Sequence, residues 1–157
     1  AQQPTEITTT LTGAGGAPQI AVAAFVPLTR DEATVAVART ISQVLFDDLT
    51  FEREFSLIPR DTYASIPAAT SFDDVPFDRW RELNIDGLII GTVQLTDGVL
   101  TLDVRLLNVR TRQQAFGRRY TGSPADPRVY AHTVSDELHQ QQRALRDERP
   151  SLLSTCS

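Results

Sequence analysis

FDRWRELNIDGLIIGTVQL, residues 77–95, joins a short helix-like run to an apolar strand. The run FDRWRELN ends before the uncharged LIIG, and the residues after Gly91 alternate in polarity. A strand with consecutive apolar residues is typical of the middle of a sheet, where both of its faces are covered. We therefore expect residues 87–95 to form a central strand, and Trp80 and Leu83 to provide part of its cover.

The composition is that of one globular domain with an acidic balance. The chain has 157 residues, 41% hydrophobic and 22% charged, with a net charge of −5. This balance argues against binding to nucleic acid, including the RNA binding of anticodon-reading domains, because such binding needs clustered positive charge. No window approaches the roughly 18 apolar residues of a membrane span, so we expect no direct membrane insertion. The single cysteine, Cys156, excludes an internal disulfide framework.

The order of the predicted elements indicates one mixed sheet. The polarity pattern predicts strands at residues 6–12, 19–26, 55–59, 87–95, 99–109 and 113–121, and helices at 31–53, 76–84 and 127–146. Asp97-Gly98 is a strong hairpin signal. The predicted fold class is α/β (α+β), with an antiparallel carboxy-terminal meander and three helices packed mainly on one face. We expect a flexible segment and linker at 1–18, a domain at 19–147 and a disordered tail at 148–157.

None of the short motifs predicts catalysis or nucleotide binding. GAGG at residues 13–16 precedes a strand instead of opening a helix, so it is read as a linker. Asp47 and Asp48 diverge by about 100° on a helix and cannot share a proton. Asp73 and Asp74 lie before a helix, where capping is the expected role. The sequence contains no GxSxG or HExxH motif, and we expect no enzyme and no cofactor.

One helical face carries residue types that could ligate a metal. His132, Asp136 and His139 have the spacing i, i+4, i+7. The opposite face of the same helix is apolar, so these side chains are expected to point to solvent. A solvated face is favoured over a metal site, and we predict no bound metal.

Two surfaces are candidates for binding a protein partner. The β-prone segment EITTTLT, tethered by GAGG, could pair with its own sheet or add as a strand to another protein. The four arginines of the last hairpin could protect an edge from aggregation or contact an acidic partner. These residues are Arg110, Arg112, Arg118 and Arg119.

Several stretches together resemble the amino-terminal domain of the TolB family, periplasmic proteins of the Tol-Pal envelope system. The stretches are IAVAAFVPL, ISQVLFDDLTFEREFSLIPRDTY, WRELNIDGLIIGTVQ and HTVSDELHQQ, spread over roughly residues 5–145. Within them, Trp80, Leu83, Asp86 and Gly91 match a recurrent family approach to a hydrophobic strand that ends in glycine.

The resemblance implies a non-catalytic periplasmic domain that acts in envelope integrity and cell division. It implies binding to TolA through the amino-terminal segment, here Thr5, Glu6, Ile7, Thr8, Thr9, Thr10 and Leu11. The family binds Pal largely through a carboxy-terminal β-propeller. This chain ends in RDERPSLLSTCS, so a contact with Pal is not expected.

Two alternative functions stay open at this point. One is an activator that binds cell-wall synthases, although such lipoproteins usually begin with a lipidated cysteine. The other is a small-ligand-binding or enzymatic α/β domain that uses a cleft near residues 86–91.

Overall fold

The computed structural model describes residues 18–52, 55–67, 69 and 71–156, with side chains as far as Gln141 except those of Glu52 and Phe72. The predicted strand at residues 6–12 and the linker that follows it lie outside the described residues. The fold described below begins at Pro18.

Six strands form one mixed sheet, as predicted. The strands are β1 (Gln19–Val22), β2 (Val26–Pro27), β3 (Ser56–Leu57), β4 (Gly87–Thr96), β5 (Val99–Asn108) and β6 (Gln113–Gly122). Their order is β3-β1-β4-β5-β6, and β2 pairs with β4. The pairs among β1 to β4 are parallel, whereas β4, β5 and β6 form an antiparallel meander. At the β4–β5 turn, Asp97 and Gly98 have φ of 53° and 75°, which confirms the hairpin.

Three helices complete the fold: α1 (Glu32–Glu52), α2 (Phe77–Glu82) and α3 (Pro127–Cys156). Helix α1 begins after Asp31, whose Oδ2 accepts the N–H of Thr34 at 3.0 Å and so caps an unpaired donor of the first turn. Helix α2 ends at Glu82 and is followed, after the C-cap Leu83, by Asn84, which adopts a left-handed φ of 61°. The buried face of α1 is the predicted one: Val37, Ala38, Ile41, Val44, Leu45 and Leu49.

The sheet is covered on both faces, which explains the apolar LIIG strand. Helices α1 and α3 pack on one face, where Ile89 and Val93 of β4 point. Helix α2 and the loop before it cover part of the other face, where Leu88 and Ile90 contact the buried Trp80 cluster. Two of the three helices therefore share one face, and the predicted cover by Trp80 is confirmed.

The predicted strand at residues 19–26 is interrupted. Between β1 and β2 the chain leaves the ladder at residues 23–25, and the N–H of Phe25 donates to Ser42 Oγ of α1 at 2.8 Å. A Cβ placed on Gly91 would lie 2.8 Å from the Phe25 ring, so the ring packs directly on the glycine. The break in the strand thus lets Phe25 fill the space between β4 and α1.

Asp73 and Asp74 lie in a 3-10 turn ahead of α2, and their capping role stays a prediction. One other sequence expectation differs from the structure. Helix α3 extends to Cys156, beyond the predicted end near Arg146. The stretch QQQRALRDE consists of good helix formers, so the sequence gives no reason for an end at Arg146 itself, and the first local stop signal is Pro150. The predicted domain limits remain predictions.

Candidate interaction surfaces

A buried carboxylate anchors the point where the leading segment joins the sheet. Asp86 precedes β4 and is only 3% exposed. Its Oδ2 accepts the N–H of Gln19 at 2.7 Å, and its own N–H donates to the Gln19 carbonyl at 2.8 Å. Both bonds hold Gln19, the first residue of β1. The Gln19 N–H also replaces part of the hydration that the Asp86 carboxylate loses on burial.

Arg110 supplies the opposite charge for this carboxylate. Its Nη2 lies 2.7 Å from Asp86 Oδ1, off the direction of an ideal hydrogen bond, and its side chain is 58% exposed. The turn that carries Arg110 is fixed by Asn108, whose Oδ1 accepts the N–H groups of Arg110 and Thr111 at 3.0 and 3.1 Å. The anchor therefore ties the start of β1 to the β5–β6 turn.

The seven predicted partner-binding residues, 5–11, lie outside the described residues. The nearest described residue ahead of β1 is Pro18, whose carbonyl accepts the N–H of Ser56 at 2.9 Å. The chain thus joins the sheet between β3 and β4, held by Ser56 on one side and Asp86 on the other. The partner-binding role of residues 5–11 stays a prediction.

The structure does not gather the four predicted arginines into one patch. Arg110 and Arg112 belong to the β5–β6 turn, whereas Arg118 and Arg119 are consecutive in β6 and point to opposite faces of the sheet. Arg118 lies on the face of α3, and Arg119 lies on the opposite face. A role of these arginines in partner binding also stays a prediction, and any single partner surface can include only some of them.

Each of these arginines faces a carboxylate of the same chain. The carboxylate partner of Arg110 is Asp86, and Arg112 Nη2 lies 2.7 Å from Asp78 Oδ1. The distances in β6 are 3.5 Å from Arg118 Nε to Glu137 Oε1 and 3.1 Å from Arg119 Nη2 to Asp103 Oδ2. Their charges are therefore largely balanced within the domain.

Two tyrosines are held in their protonated form and act as structural donors. Burial raises the pKa of Tyr63, and its hydroxyl donates to the Val22 carbonyl at 2.9 Å while it accepts the Val22 N–H at 3.2 Å. Burial also raises the pKa of Tyr120 well above its usual range, and its hydroxyl donates to Glu137 of α3. Neither phenol is set up as a base or nucleophile.

The histidine face predicted to be solvated is partly used for packing between helices. Nδ1 of His132 lies 2.5 Å from Asp48 Oδ2 of α1, and the His132 side chain is 54% exposed. Within the part of the chain that the structure describes, no three histidine, cysteine, aspartate or glutamate side chains form a cluster suited to a metal ion. In that same part, no helix combines the length and apolarity that a membrane crossing requires.

The geometry gives no support to the alternative of a ligand cleft near residues 86–91. Asp86 lies at the amino end of β4 and not at its carboxyl end, and the hollow that Ile90, Gly91 and Asp103 line has a volume of about 20 Å³. A larger hollow of about 470 Å³ opens instead after β1 and β3, beside Ala23, Tyr63 and Trp80. The chain leaves β1 towards one face of the sheet and leaves β3 towards the other face. Where the connections of two neighbouring parallel strands diverge in this way, a crevice opens at the carboxyl ends of the strands.

Arg60 is a surface residue that the sequence patterns did not single out. It lies in the 3-10 turn after β3, at the boundary between the 470 Å³ hollow and a second groove along α1. Its Nη1 donates to Gln43 Oε1 at 2.6 Å, and its guanidinium lies 5.8 Å from the centre of the Phe46 ring. These contacts join residues distant in the sequence, so no local signal could have indicated them.

The domain is a mixed sheet with two long helices on one face, and the buried carboxylate of Asp86 holds the start of its first strand. This arrangement places the protein in the class of single-sheet α/β domains. Residues 7–115 match the family of the TolB amino-terminal domain. The chain belongs to this family, which confirms the resemblance found in the sequence.

Relatives and solved structures agree with this assignment. The chain is 32% identical over 124 residues to the Tol-Pal system protein TolB of Desulfosudis oleivorans, covering 78% of this chain and 28% of the relative. It is 31% identical over 101 residues to the TolB of Alkalilimnicola ehrlichii, covering 64% and 23%. The chain therefore spans about a quarter of the length of these relatives.

The solved structures of similar fold include TolB and the LpoB carboxy-terminal domain. TolB from Acinetobacter baumannii superposes with a TM-score of 0.60 at 19% identity, over 79% of this chain and 28% of that one. The LpoB carboxy-terminal domain from Escherichia coli superposes with a TM-score of 0.55 at 15% identity, over 78% and 96%. At these identities, both superpositions establish the fold alone.

Proposed function

We propose that this chain is a non-catalytic, periplasmic protein-interaction domain of the Tol-Pal system, acting in cell-envelope integrity and cell division. Its membership of the TolB amino-terminal domain family over residues 7–115 is the observation that carries the proposal. The two tyrosine hydroxyls and the four paired arginines are engaged in contacts within the domain, which supports a non-catalytic role for these groups.

The proposed partner is TolA, bound through residues 5–11. These residues would add as a strand to a sheet of the partner, with backbone donors and acceptors providing affinity and alternate side chains providing specificity. Asp86 holds Gln19 at the start of β1, so the residues ahead of it join the sheet at a defined position. Release of the segment from its own domain would make it available to TolA.

Deletion of residues 1–12 tests this proposal directly. We expect the truncated chain to keep its fold and to lose most of its affinity for TolA, measured by isothermal titration calorimetry. The matched control is Arg81→Ala, which removes an exposed charge from α2 and should leave TolA affinity within about threefold if the segment is the main contact. An unchanged affinity after the deletion would exclude the segment as the contact.

A further inference from the structure

A groove of about 500 Å³ lies between the last turns of α1 and the edge strand β3. We call it the β3 groove, lined by Phe46, Thr50, Phe55, Leu57, Pro59 and Arg60. Four of these lining residues are apolar: Phe46, Phe55, Leu57 and Pro59. An apolar hollow at the surface is a feature of sites that bind other proteins.

The backbone of β3 offers an open pairing edge along this groove. The N–H groups of Ser56 and Ile58 donate to Pro18 and Ile20, so they face β1. The register of this parallel pair leaves the N–H and C=O of Leu57 on the outer side of the sheet. Among the described residues, none is bonded to these two groups, and an open edge of this kind can accept another strand.

The charged group at the end of the groove is the guanidinium of Arg60, and its described contacts are with neutral groups. The contacts of Arg60 are the Gln43 amide oxygen and the Phe46 ring, whereas the four arginines of the last hairpin each face a carboxylate. Asp61 also lines the groove but is exposed, and it forms no ion pair with Arg60 within the described part of the chain. A guanidinium with only neutral contacts is ready to bind a carboxylate.

We propose that the β3 groove docks an extended segment of a partner protein in which an acidic residue lies two positions from an apolar residue. The backbone of that segment pairs with Leu57, the apolar side chain enters the hollow between Phe46 and Phe55, and the carboxylate reaches Arg60. The spacing of two follows from the strand period, since side chains two apart point to the same face. This inference stands apart from TolA binding by residues 5–11.

The test uses the full chain and fluorescein-labelled synthetic peptides, with binding measured by fluorescence anisotropy. The probe is TTITETT, and its matched control is TTITKTT, in which lysine replaces the glutamate. We expect the glutamate peptide to bind about tenfold more tightly than the lysine peptide. N-methylation of alternate backbone nitrogens in the probe should abolish binding, because it removes the pairing donors without altering the protein.

Variants of the protein assign the charge preference to one side chain. Arg60→Glu should reverse the preference between the two peptides, and Arg60→Lys should retain it. Arg81→Glu, an exposed charge change on α2, should leave the preference unchanged. Equal binding of both peptides, undiminished binding of the N-methylated probe, no reversal in Arg60→Glu, or no saturable binding would each overturn the proposal.

One further variant separates a partner segment from the leading segment of this chain. EITTTLT also carries an acidic and an apolar residue, although Glu6 and Ile7 are adjacent and not two positions apart, so Glu6→Arg combined with Ile7→Asp tests whether this segment competes for the groove. Peptide binding that is the same with and without these changes supports the assignment to a partner. Binding that occurs only in the double variant would assign the groove to residues 5–12 and overturn the proposal.

Discussion

At the residue scale, one buried carboxylate holds together its own position before β4 and two other parts of the chain. Asp86 receives a backbone donor from the start of β1 and a guanidinium from the β5–β6 turn. A buried carboxylate that lost either partner would be under-solvated, so the three positions stabilise one another. The position of the leading segment follows from this arrangement.

Replacing Asp86 with alanine should destabilise the domain by roughly 1–3 kcal/mol, because the Gln19 N–H loses its acceptor inside the protein. The free energy of unfolding in urea measures this effect. The matched control is Asp78→Ala, which breaks the exposed ion pair with Arg112 and should change stability by less than about 1 kcal/mol. Equal losses in the two variants would contradict the special role of Asp86.

The capping carboxylate of α1 predicts an acid-dependent stability. The hydroxyls of Thr29 and Thr34 lower the pKa of Asp31 from 3.8 to about 2. Since the folded-state pKa is depressed, the contribution is complete above pH 4 and is lost as the pH falls towards 2. The melting temperature of the native chain should therefore approach that of Asp31→Asn across this interval. A difference that stays constant from pH 5 to pH 2 would show that the Asp31 charge is not involved.

The sequence could predict only some of these residue-level features. Strand alternation alone separates Arg118 from Arg119, so their opposite faces could have been foreseen from a period of two. The pairing of Arg110 with Asp86 could not, because it depends on the tertiary approach of the β5–β6 turn to the start of β4. The neutral surroundings of Arg60 depend in the same way on the packing of α1 against β3.

At the element scale, local signals predicted the strongest elements and missed the interruption of the first strand. The hairpin at Asp97-Gly98 and the apolar stripe of α1 are encoded by adjacent residues, and both are confirmed. The apolar stretch at residues 19–26 gave no sign of its break, because the break serves Phe25, which packs on Gly91 from a distant strand. Tertiary contacts therefore decided where that strand ends.

The contact between Gly91 and Phe25 predicts a large difference between two glycine substitutions. Gly91→Ala places a methyl group 2.8 Å from a buried ring and should cost roughly 1–3 kcal/mol of unfolding free energy. Gly117→Ala meets only the amide end of the exposed Gln114 side chain, which can move, so it should cost less than about 0.5 kcal/mol. Chemical denaturation compares the two variants.

A second substitution shows whether the ring is the cause. Phe25→Leu introduced with Gly91→Ala should cost less than the sum of the two single changes, because the smaller side chain makes room for the methyl group. Additive losses would indicate that the glycine is required for another reason.

At the scale of the whole molecule, the mixed sheet and its two covered faces follow from the order and polarity of the elements. The apolar LIIG strand predicted a central position, and β4 lies between β1 and β5 with helices above and below it. The binding surfaces were less predictable, because they depend on which charges the fold pairs internally. We propose two separate binding elements on one sheet: the leading segment ahead of its first strand, and the β3 groove at its edge.

Residue-resolved amide hydrogen exchange of the full chain, with and without TolA, tests the central claim most directly. Strand addition predicts that TolA slows exchange at alternate amides of residues 5–11, since every second N–H pairs with the partner's sheet. The amides of β6 should be unaffected. TolA binding that slows exchange in β6 or the β5–β6 turn and leaves residues 5–11 unchanged would contradict the proposed role of the leading segment.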